Sequence, residues 1–263
     1  MNDYLSALIL GIVQGITEFL PVSSSGHLEL AEAIFGIEQK DSIFMTIVLH
    51  AATALATVVV YRKYFLELIQ GLFQFKKNQQ TLYILKIIIS MVPAALVGFF
   101  FEEQLEMLFD GKILFVGCML LLTGMLLLLA DKSKSTNKGI SNKNALLVGI
   151  SQAIAILPGI SRSGATISSS VILGIDREEA ARFSFLMVVP LILGVILKKS
   201  LDLDGLPSSI NYTYFGIGFI TAFITGILAC KWMIALVKKA KLKYFAYYCF
   251  AVGGIAIIYT SIT

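Results

Sequence analysis

Two stretches interrupt long apolar runs with the same residue types: FLPVSSSGH at 19–27 and, 138 residues later, LPGISRSGA at 157–165. Proline withholds a backbone donor, and serine and glycine favour caps and turns, so neither run can continue as one helix. The surroundings make this restrictive. The chain is 57% hydrophobic and 14% charged, against about 45–50% and about 25% in soluble domains, which is the composition of an integral membrane protein. Within a bilayer, non-helical backbone is tolerated only where protein buries it or where it lines a watery cavity. The two breaks therefore predict a cavity at membrane depth.

The breaks belong to a longer duplication. At a constant offset of 138, Gly11, Ile12, Gln14 and Ile16 meet Gly149, Ile150, Gln152 and Ile154; Ser23, Ser25 and Gly26 meet Ser161, Ser163 and Gly164; and Ile34, Gly36 and Ile37 meet Ile172, Gly174 and Ile175. These are ten identities over the thirty-one positions 11–41, without a gap, and Glu38 meets Asp176 just beyond Ile37. Each unit reads as a short apolar helix, a Pro/Ser/Gly break and a second short helix. Neither helix supplies the roughly 20 apolar residues of a full span, so each unit predicts a re-entrant hairpin.

Six other stretches have the length for a span: about 43–61, 82–101, 113–130, 183–198, 213–230 and 244–262. Three of them separate the hairpins, and an odd number of crossings makes the second hairpin enter from the opposite side. The expectation is an all-α membrane protein of about six transmembrane helices and two re-entrant hairpins. It forms one domain, 1–263, whose inverted-repeat halves run about 1–130 and 140–263. One set of loops carries Arg62, Lys63, Lys76, Lys77, Lys132, Lys134, Lys138, Lys143, Lys231, Lys238, Lys239, Lys241 and Lys243. The other carries Glu102, Glu103, Glu106, Asp110, Asp202 and Asp204, with few lysines such as Lys112, Lys198 and Lys199. The basic side is expected to be cytoplasmic, which puts both termini and the first hairpin's mouth outside. Asp3 ahead of the first apolar run, with Gln14 and Glu18 inside it, argues against a cleavable signal peptide. Cys118, Cys230 and Cys249 stand singly, so neither a disulfide framework nor a CxxC metal site is indicated. No basic run with interleaved aromatics points to nucleic acid.

Ionisable groups at membrane depth are functional candidates by default. Each break frees backbone N–H groups just ahead of a short helix, and a helix N-terminus attracts anions. The tips Ser23, Ser25, Gly26 and Ser161, Ser163, Gly164, with Thr166 a turn further on, are therefore candidate phosphate-binding positions, and Arg162 adds a guanidinium that can clamp phosphate oxygens. Gln14 and Glu18 are i, i+4 and share a helix face, where they could supply oxygen ligands to Mg²⁺ or Ca²⁺. His27 follows Ser24 by three residues and could act as general base on its hydroxyl, or attack phosphorus itself. His50, mid-span beside Ala51, Ala52 and Thr53, reads as close helix packing at least as readily as catalysis. Arg177, Glu178, Glu179 and Arg182 read as a solvated loop and helix start.

The segments VQGITEFLPVSSSGH and LPGISRSGATIS resemble the two signature regions of the undecaprenyl-pyrophosphate phosphatase family of the bacitracin-resistance type, and the resemblance runs from the first hairpin to the last span. It implies an inverted-repeat membrane fold and hydrolysis of undecaprenyl pyrophosphate to the monophosphate carrier. It also implies a divalent cation, and a site at the outer face of the bacterial plasma membrane. The family's Glu/Gln-xxx-Glu pattern falls on Gln14 and Glu18, its Ser and His on Ser24 and His27, and its Pro-Gly-x-Ser-Arg-Ser pattern on Pro158, Gly159, Ser161, Arg162 and Ser163, with Thr166 beyond. Gln14 stands where a first Glu is also allowed, so a two-carboxylate metal scheme is not supplied here. The expected catalytic set is Glu18, Ser24, His27 and Arg162, the substrate a polyprenyl diphosphate, and the surroundings membrane lipid, with a homodimer left open. The rival reading is a transporter or flippase of a lipid-linked or other anionic solute.

Overall fold

The computed structural model describes residues 3–35, 39–101, 104–105, 108, 113–134, 136–202 and 211–262. The matches at Gly36, Ile37 and Glu38, and the loop residues Glu102, Glu103, Glu106, Asp110, Lys112 and Asp204, lie outside them. Among the described residues every regular element is a helix. In order these are α1 (Asp3–Thr17), α2 (Ser24–Phe35), α3 (Gln39–Val60), α4 (Arg62–Leu72), α5 (Gln79–Phe100), α6 (Ile113–Lys132), α7 (Asn142–Ile154), α8 (Arg162–Ile172), α9 (Arg177–Asp202), α10 (Tyr212–Lys238) and α11 (Lys243–Ile262).

Helices α5, α6 and α10 are each long and apolar enough to cross a membrane. A fourth span is available if α3 and α4 are counted as one, but they meet at 83°, so the chain turns sharply where a plain loop was expected. Helix α4 carries Arg62 and Lys63 together with the exposed Leu66, Ile69 and Leu72. The stretches expected at 183–198 and 244–262 lie within α9 and α11. Helix α9 differs from a lipid-facing span in burying much of its surface: Ala180, Ala181, Phe183 and Met187 are fully inaccessible, and it packs on α3, α5, α8 and α10.

Close packing comes from small residues rather than from large ones. Helix α1 lies along α10, where a Cβ on Gly11 would sit 2.7 Å from the Gly218 carbonyl oxygen and one on Gly15 would sit 2.7 Å from that of Ala222. These residues recur every four positions, Gly11 and Gly15 against Gly218, Ala222 and Gly226, the small-xxx-small spacing that lets membrane helices approach backbone to backbone. Helix α7 lies along α5 in the same way, with Gly149 against the Ser90 backbone, and α6 lies along α11, with Gly117 against Gly253. Helices α2 and α8, and likewise α3 and α9, begin 138 residues apart.

The start of α9 is not a solvated segment. Arg177 is 5% exposed, and its Nη2 donates to the carbonyls of Ala130, Asp131 and Ser133 at 3.1, 3.2 and 2.8 Å, capping the C-terminal end of α6. Glu179 is buried and pairs with Arg182, whose guanidinium lies over the Tyr64 ring at 4.5 Å. Only Glu178, about half exposed and bonded to Lys238, fits the solvated reading. Carbonyls at the end of another helix compensate the buried guanidinium through Nη2, while Nη1 has no hydrogen-bond partner, and spacing along the chain does not reveal those partners.

Candidate active site

Both sequence breaks are breaks in the structure. Residues 18–23 separate α1 from α2, and residues 155–161 separate α7 from α8. Their local designs correspond. Ser161 caps α8, its Oγ accepting from the Gly164 N–H at 3.1 Å, and it meets Ser163 Oγ at 3.2 Å; one repeat earlier, Ser23 Oγ meets Ser25 Oγ at 3.5 Å. The backbones differ, since Ser161 is extended at φ −75° and Ser23 is left-handed at φ 71°. A left-handed residue with a Cβ costs about 1–2 kcal/mol, so neighbours must hold Ser23 there. Gly159 is also left-handed, at φ 92°, and packs so closely that an added Cβ would stand 2.9 Å from Val116 Cα.

The two breaks touch. Ser163 Oγ donates to the Leu20 carbonyl at 3.3 Å, and Gly164 packs on Pro21. Arg162, from the tip of α8, pairs through Nη2 with Glu18 Oε1. The other carboxylate oxygen, Oε2, accepts from Ser24 Oγ at 2.9 Å and from Gln14 Nε2 at 3.1 Å. The carboxylate therefore gathers three polar side chains, Arg162, Ser24 and Gln14, from both halves of the chain. It is 9% exposed, and its dry surroundings strengthen each of these interactions.

On one side of this group lies a polar cavity of about 150 Å³ lined by Glu18, Ser24, Ser25, Ser161, Arg162 and Ser163 together with Thr17, His50 and the backbone around Ala155, Ile156 and Ile160. One water needs roughly 10–15 Å³ on this measure, so the space suits a group the size of a phosphate. On the other side a small, mostly apolar crevice runs between α3 and α9, past Phe19, Thr57, Phe185, Val188 and Ile192.

Several expected site residues stand back from the cavity. Ser23 is 3% exposed and contacts Ser25, Gly26 lies near Ser23 Oγ, and Gly164 is buried on Pro21. Thr166 is buried, donating to the Arg162 carbonyl at 2.8 Å and meeting Ser184 Oγ at 2.6 Å. His27 does not bond Ser24. Its Nδ1 donates to the Ser23 carbonyl at 2.8 Å and its Nε2 lies 2.6 Å from the Tyr248 hydroxyl on α11. The histidine that faces the carboxylate is His50, with Nε2 3.8 Å from Glu18 Oε2 and Nδ1 donating to the Thr46 carbonyl at 2.8 Å. Sequence alone gave His50 no preference, because its neighbour Glu18 depends on how α3 docks beside α1.

Among the described residues no three His, Cys, Asp or Glu side chains cluster as a metal site. What is present is narrower: Gln14 is fully buried, its Oε1 has no hydrogen-bond partner, and the Glu18 carboxylate is bonded to the same side chain. Glu18 lines the cavity and Gln14 stands behind it, presenting Nε2 to the carboxylate; with the amide turned over, the two side chains would offer oxygens to a hard cation of the Mg²⁺ kind that completes its shell with phosphate oxygens and water. Gln152, the repeat counterpart of Gln14, is equally buried but is followed four residues later by Ile156 where Gln14 is followed by Glu18, and neither of its amide atoms has a hydrogen-bond partner among the described residues.

Residues 7–255 match the family described as bacitracin resistance protein BacA. Curated relatives align end to end. A protein of Christiangramia forsetii named undecaprenyl-diphosphatase is 60% identical over 98% of both chains. Proteins of the same name from Bacteroides fragilis and Methanococcus vannielii are 46% and 42% identical, over 97% and 96% of this chain and 98% of each relative. With the signature residues of both breaks gathered on one buried carboxylate and the match extending over nearly the whole length, the chain belongs to the BacA family.

Proposed function

We propose that the protein is an undecaprenyl-diphosphate phosphohydrolase, releasing inorganic phosphate and leaving the monophosphate lipid. The observation that carries this is the meeting of Ser24 and Arg162, from the two repeats, on Glu18 at the wall of one polar cavity. The names of the aligned relatives support the substrate.

Phosphoryl transfer asks the protein mainly to position groups and neutralise oxygen charge. The terminal phosphate enters the cavity, where Arg162 holds its oxygens beside the lining serines Ser24, Ser25 and Ser163. Ser24 Oγ attacks the terminal phosphorus, the bridging P–O bond breaks toward the lipid monophosphate, and the hydroxyl proton passes along the 2.9 Å bond to Glu18. Water then attacks the seryl phosphate and releases it. A water attacking directly would use the same carboxylate as base. His27, with both ring nitrogens engaged elsewhere, is poorly disposed to be that base or a nucleophile, whereas His50 stands next to Glu18. Gln14 Oε1 and Glu18 would hold Mg²⁺ or Ca²⁺, which would contribute further neutralisation of phosphate charge.

We further read the fold as an inverted repeat of two halves, about 1–130 and 140–263, each with a re-entrant hairpin and three spans, in one cell-membrane domain. Its support is the exchange of helix partners between halves: α1 packs on α10 as α7 packs on α5, while α6 pairs with its own counterpart α11 and α3 with α9. The basic loops assign the cytoplasmic side, and the amphipathic, sharply turned α4 with Arg62 and Lys63 suits a helix lying in that interface. The cavity and termini then belong to the outer side.

The decisive experiment is phosphate release from a polyprenyl diphosphate by the purified protein in detergent micelles, with and without Mg²⁺. Micelles have no second compartment, so turnover there identifies an enzyme. A protein that binds the lipid but releases no phosphate would favour the transporter reading instead.

A further inference from the structure

The left-handed Ser23 needs something to hold it, and the structure contains a chain of contacts that ends on a distant helix. A carbonyl oxygen only accepts, so the 2.8 Å contact to Ser23 O requires the proton of His27 on Nδ1. That leaves Nε2 with a lone pair in the neutral ring, and the Tyr248 hydroxyl donates to it at 2.6 Å. The two rings lie nearly parallel, at 20° with centroids 5.8 Å apart. The next residue on α11, Cys249, donates through Sγ to the Pro21 carbonyl at 3.4 Å. Helix α11 thus grips the first break at two consecutive positions. The second break is gripped by α6 in a corresponding way, with Thr123 Oγ1 accepting from the Ser161 N–H at 3.2 Å and Val116 packed on Gly159.

We propose that Tyr248 is a positioning residue for the reaction: through His27 it fixes the Ser23 carbonyl, and with it the neighbouring Ser24 hydroxyl against Glu18. The chemistry follows from the tautomer. An imidazole pinned at Nε2 by a phenol O–H keeps its Nδ1–H directed at the backbone, and this 2.8 Å bond adds to the longer 3.4 Å bond from the His27 N–H in resisting rotation of the peptide between Ser23 and Ser24. His27 contributes by orienting, and its counterpart Ala165 can be inert because Ser161 needs no left-handed backbone. This role rests on the phosphatase reading for its kinetic consequence but not for its geometry.

The chain contains two histidines, so selective ¹⁵N labelling gives two imidazoles, and loss of one signal set in His50→Gln assigns the other. In the wild type His27 is expected to be protonated on Nδ1, with Nε2 accepting a hydrogen bond. Tyr248→Phe shifts the His27 Nε2 resonance toward a free acceptor and leaves His50 where it was. The same variant is expected to lower kcat roughly three- to tenfold, the scale of one lost hydrogen bond, at unchanged KM. Tyr247→Phe, at an exposed neighbouring position, leaves both readouts unchanged. In a Ser23→Gly background, where left-handed backbone is free of strain, the Tyr248→Phe penalty shrinks. A His27 protonated on Nε2 in the wild type, or an unmoved His27 signal in Tyr248→Phe, overturns the proposal whatever the activity. Shifted resonances with no turnover by the wild type would instead overturn the phosphatase reading and leave the latch standing.

Discussion

Arg162 and Ser24 reach the same carboxylate but contribute differently. Removing the guanidinium takes away the arginine paired with Glu18 and a ligand for the phosphate oxygens, and the His50 imidazole beside Glu18 cannot reproduce its two-pronged grip. Removing the Ser24 hydroxyl opens room for water beside the same base. Arg162→Ala is therefore expected to lower kcat/KM by roughly 10²–10³, the usual loss for a donor aimed at developing oxyanion charge, and Ser24→Ala by less; initial rates of phosphate release compare them directly. Arg162→Lys recovers only part, because an ammonium cannot span two oxygens. A near-active Arg162→Ala protein would refute the arrangement. At this scale the sequence revealed Ser24, Glu18 and Arg162 because polar residues are conspicuous in apolar surroundings. Tyr248 was hidden, lying 221 residues from the histidine it contacts in a helix where tyrosines look like interfacial residues. Arg177 was hidden for a related reason: its carbonyl partners are 44–47 residues away.

Among the elements, the breaks and the small-residue seams carry the architecture. Gly159 combines a left-handed backbone with contact to Val116, so Gly159→Ala is strained twice and should tilt the second tip off Glu18. The expected outcome is low phosphate release together with a lowered Tm in detergent. Gly15 differs, since its φ is ordinary and only the distance to α10 forbids a side chain. Gly15→Val should cost about 1–3 kcal/mol through overpacking, whereas Gly98→Ala, with no atom within 4 Å of its added Cβ, should leave Tm unchanged. Thermal unfolding of the three variants side by side tests the seam. The 138-residue repeat made both breaks legible, whereas the starts of α3 at Gln39 and α9 at Arg177 lie ahead of the apolar runs expected from about 43 and 183. The 83° turn between α3 and α4 was not legible, because Tyr61-Arg62-Lys63 reads equally as a loop and as the start of a surface helix.

For the molecule as a whole, the inverted-repeat reading makes a topological claim that ends of helices can test. Lys143, near the start of α7, and Tyr212, at the start of α10, are both exposed and should lie on opposite membrane faces. A membrane-impermeant maleimide applied to intact cells is expected to label Tyr212→Cys at once and Lys143→Cys only after permeabilisation, in a background lacking Cys118, Cys230 and Cys249. Labelling of both from outside would contradict the parity. Arg177 ties the end of α6 to the start of α9, Asp131 accepts from the N–H groups of Leu242 and Lys243 at the head of α11, and Asp176 N donates to the Lys138 carbonyl. These ties knot the ends of α6, α9 and α11 together at the basic rim, so a displacement of any one of the three is felt by the other two.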